Sequence, residues 1–241
     1  MNLTAPVCPW LKSPLASLQS AAAAGRLGHA WLVTGNADVG KRNLAYALAF
    51  GMLEGRAGDA LPATASPADV LDLYARLATD EDLHPDLHRV RRPEDKRTIA
   101  VDQIREMIAA LALTPHLAGL KFVVIEEAET MTTAAANALL KSLEEPTANT
   151  WLFLLASQPG RLPATIRSRC QKLSIDPPER DATAAWLETS NLRADGIPAR
   201  LVAGLVYVDG FLGERRIFGY HMWAQARIED RWIDLDASFE A

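Results

Sequence analysis

Three short apolar runs punctuate the first two thirds of the chain: AWLVTG at 30–35, KFVVIEEAE at 121–129 and TWLFLLAS at 150–157. None alternates apolar with polar residues, so each predicts a strand buried on both faces, as in a parallel sheet covered by helices. Between them the apolar positions repeat at helical spacing. Val101, Ile104, Ile108 and Leu111 share one helical face. Residues 133–145 form a second helix, with threonines able to cap its start and Pro146 ending it. The small-residue, proline-rich AGDALPATASP at 57–67 predicts a surface loop. Beyond about residue 190 the pattern becomes strand-like, in RLVAGLVYV, GYHMWAQARI and RWIDLD, and Glu229-Asp230 between the last two suits a hairpin turn. A tail of about 50 residues seldom buries enough surface to be stable alone. It must lean on the first part or be a fragment of something larger.

Composition narrows the class. At 241 residues the chain holds one large domain or two small ones, and 49% hydrophobic against 23% charged residues excludes a disordered chain. No apolar run is long enough to cross a bilayer, and the N-terminus lacks a secretory signal, so the expected location is the cytoplasm. Cys8 and Cys170, the two thiols, make neither a disulfide framework nor a four-ligand zinc site. A net charge of −5 gives no overall pull towards nucleic acid, so any DNA contact would be local or made by partner subunits.

The candidate chemistry begins at GNADVGKR, residues 35–42, which follows an apolar strand and opens a helix. In a phosphate-binding loop of the form G-x-x-x-x-G-K-[ST], backbone N–H groups and the lysine hold phosphates and the Ser/Thr hydroxyl ligates Mg²⁺. Gly35, Gly40 and Lys41 supply the first two functions. Arg42 cannot supply the third, because a guanidinium has no lone pair for a metal. Glu126 and Glu127 close the second apolar run, where such folds place the carboxylates that hold metal-bound water, but Asp then Glu is the more usual order. His84 and His88 are four apart, yet Pro85 between them argues against a helical ligand pair, and no metal site is expected.

GRLGHAWLVTG, HPDLH, IAVDQIREM, AAANALLKSLEEP and TWLFLLASQPGRLPATIRSRCQKL, in this order over about residues 10–190, resemble the delta-prime clamp-loader family of bacterial DNA polymerase III, within the AAA+ class. The resemblance implies an α/β fold with a P-loop NTPase-like parallel sheet covered by helices at 1–175 and the start of a lid, here truncated, at 176–190; the short β-rich tail at 191–241 lies outside it. It also implies a stator that does not hydrolyse ATP and requires no cofactor. In that family the Ser-Arg-Cys element projects its arginine into a neighbour's ATP site, which carries over to Ser168, Arg169 and Cys170, with Arg169 as the finger in trans. The implied partners are the motor ATPase subunits and the delta subunit, with the sliding clamp and primed DNA engaged through the complex and no membrane. Two departures are visible. Residues 51–83 lack the four zinc-binding cysteines of many relatives, and the collar that holds such rings together is missing, so weaker ring assembly is expected.

The tail resembles a second family, the C-terminal part of a transglutaminase-like core, which would make the chain a cysteine amidase or transpeptidase. His221 and Asp236 match the family's histidine and aspartate, Trp223 and Trp232 its aromatic positions, and the string GIPAR at 196–200 its entering turn. The nucleophile has no counterpart, since Cys170 already belongs to I-R-S-R-C. The two readings differ at one point: the amidase requires an activated Cys170, and the stator requires an available Arg169.

Overall fold

The computed structural model describes residues 7–55, 73, 77, 84–93, 95–115, 119–178, 183, 199–208, 217–228 and 231–234. Helix α1 (Lys12–Ala23) leads to strand β1 (Ala30–Thr34), then α2 (Lys41–Leu53), β2 (Leu87–Val90), α3 (Val101–Ala112) and β3 (Lys121–Ile125). There follow α4 (Thr133–Glu144), β4 (Thr150–Ala156), the single-turn α5 (Ala164–Arg167) and β5 (Gln171–Ser174). The five strands form one parallel sheet in the order β2-β3-β4-β1-β5.

Successive side chains of a strand point to opposite faces, and the apolar runs use both. Val33, Phe122, Val124, Phe153 and Leu155 lie in one core with α1 and α2. Ala30, Leu32, Val123, Ile125, Leu152, Leu154 and Ala156 lie in another with α3 and α4. Phe153 stacks on Phe122 at a centroid distance of 4.9 Å and on Trp31 at 6.2 Å, joining three central strands across one face. The result is a three-layer sandwich, as continuous apolar strands require.

The helices follow their local chemistry. Thr132 caps α4 by accepting from the Ala135 N–H at 3.1 Å, and Gln103 Oε1 accepts from the Ala100 N–H at the start of α3. On α3 the buried positions are Ile104, Met107 and Leu111, while Val101 and Ile108 are only partly buried. The buried face is thus rotated from the one the sequence predicts, because Met107 takes the central place. The second apolar run ends as a strand at Ile125, since Glu127 adopts a left-handed conformation (φ 47°) that turns the chain away.

Lys121, the first residue of β3, is 3% exposed. Its ammonium donates to the carbonyls of Ala110 (3.1 Å), Leu111 (2.7 Å) and Leu113 at the end of α3. The Ala110 carbonyl also accepts from the Leu113 N–H at 3.2 Å, but the carbonyls of a helix's last turn lack the N–H groups of a following turn, and a cation there also meets the negative end of the helix dipole.

In the C-terminal part, β6 (Ala199–Val208), β7 (Ile217–Ile228) and β8 (Arg231–Asp234) form a separate antiparallel sheet, with Gly204 opposite His221 and Ile228 opposite Arg231. The three strands read from the tail are present. The turn at Glu229-Asp230, the loop at 57–67 and the start of the lid at 181–182 and 184–188 lie outside the described residues.

Candidate functional site

The C-terminal ends of β1, β3 and β4 lie side by side, the edge where ligands bind in open α/β sheets. The glycines of the loop after β1 are required by its shape. A Cβ on Gly35 (φ 153°) would stand 2.5 Å from the Ile175 carbonyl oxygen, and one on Gly40 (φ 96°) 2.8 Å from Leu11 Cδ1. Gly40 caps α2, and Lys41 is that helix's first residue. The Lys41 ammonium, in a side chain only 8% exposed as a residue, donates to the carbonyls of Gly35 (3.0 Å) and Asn36 and to Ser157 Oγ (3.0 Å) at the end of β4. Burial lowers its pKa, the Asp38 and Glu129 carboxylates oppose that shift, and Arg42 adds to it.

Arg42 does more than lack a hydroxyl. Its guanidinium lies 3.6 Å from Glu126 Oε2. On the other carboxylate oxygen, Oε1, Glu126 accepts from Arg89 Nε at 3.0 Å and from the Tyr46 hydroxyl at 2.7 Å. Tyr46 is fully buried, and burial followed by the Glu126 charge raises its pKa well above the ordinary value, so the phenol stays protonated and donates. Two cations and a neutral donor therefore surround the strand-end carboxylate. Glu127 points elsewhere, accepting from Arg92 Nε at 2.8 Å. Glu129 accepts the N–H groups of Ser157 (2.8 Å) and Gln158 (3.1 Å), joining the end of β4 to the turn after β3.

A divalent cation does not fit these residues. Arg42 stands where a metal-ligating hydroxyl would be, and the Glu126 oxygens already face Arg42, Arg89 and Tyr46. An anion is chemically compatible with the glycine loop, but it would have to displace one of the three partners that now take the Lys41 donors. Among the described residues no His/Cys/Asp/Glu group could hold a metal. Tyr46, Arg89, Glu129 and Ser157 were not legible as site residues in the sequence. Tyr46 reads as one more core position of an apolar helix, and only the acidic turn at 126–129 signals that cations should converge there.

Some 25 residues of sequence separate a second cluster's two members. Arg169 is exposed; its Nε donates to Glu144 Oε1 at 2.8 Å, Nη2 lies 2.5 Å from the same oxygen, and Nη1 donates to the Thr165 carbonyl at 2.9 Å. Ser168 is also exposed, and its hydroxyl donates to the Thr165 carbonyl at 3.1 Å. Arg167 is half-buried, and its Nε has no hydrogen-bond partner among the described residues. Cys170 is buried, and that burial pushes its thiol up to about 11; Cys8, also buried, is pushed up to about 12. The thiolate is the nucleophile, so neither cysteine is activated. Alkylation of the folded chain at pH 7.5 should be about a hundredfold slower at Cys170 than at a free thiol, rising only as the pH approaches the raised pKa. Labelling of Cys170 near pH 6.5 as fast as a free thiol or faster would revive the amidase reading. His221 lies in β7, while Asp236 lies outside the described residues.

A five-stranded parallel sheet with β4 inserted between β1 and β3, and a phosphate-type loop between β1 and α2, is the AAA+ architecture. Residues 11–179 match the family model described as "DNA polymerase III, delta subunit", and the chain belongs to that family. Similar proteins include "DNA polymerase III subunit delta'" of Pseudomonas aeruginosa, 38% identical over 183 residues (76% of this chain, 53% of the relative). The Escherichia coli protein of the same description is 35% identical over 180 residues (74% and 52%). "DNA polymerase III subunit tau" of Escherichia coli is 31% identical over 161 residues (67% and 24%). The chain thus spans about half the length of the delta-prime relatives. Residues 181–237 match a second model, "Transglutaminase-like superfamily", over a small part of the chain. Among the described residues no helix is long and apolar enough to cross a membrane.

Proposed function

We propose that this chain is a delta-prime-type stator of a cytoplasmic clamp loader, which does not hydrolyse ATP itself and lends Arg169 to the ATP site of a neighbouring subunit. The neighbour is an ATPase of the same fold, and the complex loads the sliding clamp on primed DNA together with a delta subunit. One observation carries the reading: Glu126 is enclosed by Arg42, Arg89 and Tyr46, while Arg169 stands at the surface. A carboxylate so enclosed cannot polarise a metal-bound water. An exposed planar cation can stabilise charge spreading over a phosphoryl group in a partner.

Calorimetric titration of the purified chain with ATP and Mg²⁺, with Lys41→Ala as control, tests the first half. Up to about 1 mM nucleotide, a ceiling that corresponds to only about 4 kcal/mol of binding, no magnesium-dependent binding is expected. Saturable, magnesium-dependent binding that disappears in the Lys41 variant would make the loop a live nucleotide pocket and add a regulatory or motor role to the stator reading.

A further inference from the structure

We propose that Glu144 is a positioning residue for Arg169, fixing one edge of the guanidinium so that its remaining donors face a ligand in the neighbouring subunit. The inference rests on the reading of Arg169 as a donor in trans.

The geometry is specific. Nε and Nη2, which form one side of the planar group, both meet Glu144 Oε1, and Nη1 meets the Thr165 carbonyl. A guanidinium has five N–H donors; these contacts take three and leave two. The two left over belong to Nη1 and Nη2, at the end of the side chain furthest from the backbone, where a planar fork suits bidentate contact with phosphate oxygens.

Both partners stand on fixed backbone. Ile166 and Cys170, on either side of Arg169, are buried in the same core cluster as Leu143, which precedes Glu144. The His29 ring nitrogen Nε2 donates to the Leu143 carbonyl at 2.9 Å, tying the end of α4 to the segment entering β1. Glu144 is the last residue of α4 and Glu145 follows it. Two carboxylates at a helix C-terminus run against the helix dipole, so their placement costs stability unless a cation answers them. Arg169 provides that cation. As a surface pair the contact contributes little to the fold; its use is that a long, flexible side chain is oriented before a partner arrives. Preorganisation of this kind is where a misplacement of about 1 Å can cost about a hundredfold in rate.

The test uses the complex assembled with its ATPase subunits and compares wild type, Glu144→Ala, Glu144→Gln and Arg169→Ala, each matched for assembly by size-exclusion chromatography. Glu144→Ala should lower the kcat for ATP about ten- to a hundredfold with KM unchanged. Glu144→Gln, whose amide oxygen still accepts both N–H groups, should recover most of the loss. If Arg169→Ala slows turnover while Glu144→Ala turns over like wild type, the pair is only a surface contact and the inference falls alone. Faster turnover in Glu144→Ala would overturn it too, since the carboxylate would then restrain the arginine. If Arg169→Ala turns over like wild type, the finger reading has failed first.

Discussion

Arg169→Ala should lower ATP turnover by the assembled complex about a thousandfold or more, the scale of an arginine finger removed from a phosphoryl-transfer site, while the variant chain unfolds at the same temperature as wild type. The second half follows from exposure: the pair with Glu144 lies at the surface, with side chains 35% and 50% exposed, and such pairs are worth about 0–1 kcal/mol. Arg169→Lys should not restore activity. An ammonium is a point charge without the planar fork that can be held on one edge and grip phosphate with the other. Arg167→Ala is the matched control, because it removes a guanidinium two residues away. Steady-state turnover and thermal melts of the same preparations decide the matter. A fall in Arg167→Ala with none in Arg169→Ala would move the finger to Arg167, and a shared fall in melting temperature would make both residues structural.

Glu126→Ala should destabilise the isolated chain by about 3–5 kcal/mol, the range for removing one partner of a buried ion pair. Arg89, whose side chain is 5% exposed, would lose its 3.0 Å carboxylate partner at Glu126, and the buried Tyr46 hydroxyl would lose its acceptor. Glu126→Gln keeps an acceptor for Tyr46 while removing the charge that faces Arg42 and Arg89, and should fall between wild type and alanine. Urea unfolding followed by circular dichroism gives the midpoints. The sign is diagnostic. In a working metal site, removing a catalytic carboxylate tends to leave stability unchanged or to raise it, because active sites trade stability for function. A neutral or stabilising Glu126→Ala would therefore mean that this carboxylate is held for catalysis after all.

How far the sequence alone reaches depends on whether a feature is local. The strands at β1, β3 and β4 are legible because burial on both faces demands an unbroken apolar run. β2 and β5 are not, because they are the sheet's edges: LHRV and QKLS carry polar residues that a strand with only one neighbour tolerates. The start of α4 is legible from Thr132 and Thr133, and its end from Pro146. The glycine loop is legible from its spacing, and Arg42 as a missing hydroxyl. That Arg42 pairs with Glu126 is not, since they are far apart in the chain and only the placement of β1, β4 and β3 side by side brings them together. The same holds for Glu144 and Arg169, whose motifs point to a family but not to a contact. Lys121 is the plainest case: at the head of an apolar run it reads as the polar start of a strand, and nothing nearby announces three carbonyls waiting for it.

The ammonium of Lys121 ties the last turn of α3 to the first residue of β3 across a buried boundary. A helix end ordinarily frays independently of the sheet beneath it. Here fraying would strand a charge among apolar side chains, so local opening of that turn carries the penalty of disturbing the sheet. The helix and the strand that follows it therefore open together or not at all, and a pull on α3 by a neighbouring molecule reaches β3, and the acidic turn at its far end, as a rigid displacement instead of being lost in a loosened joint.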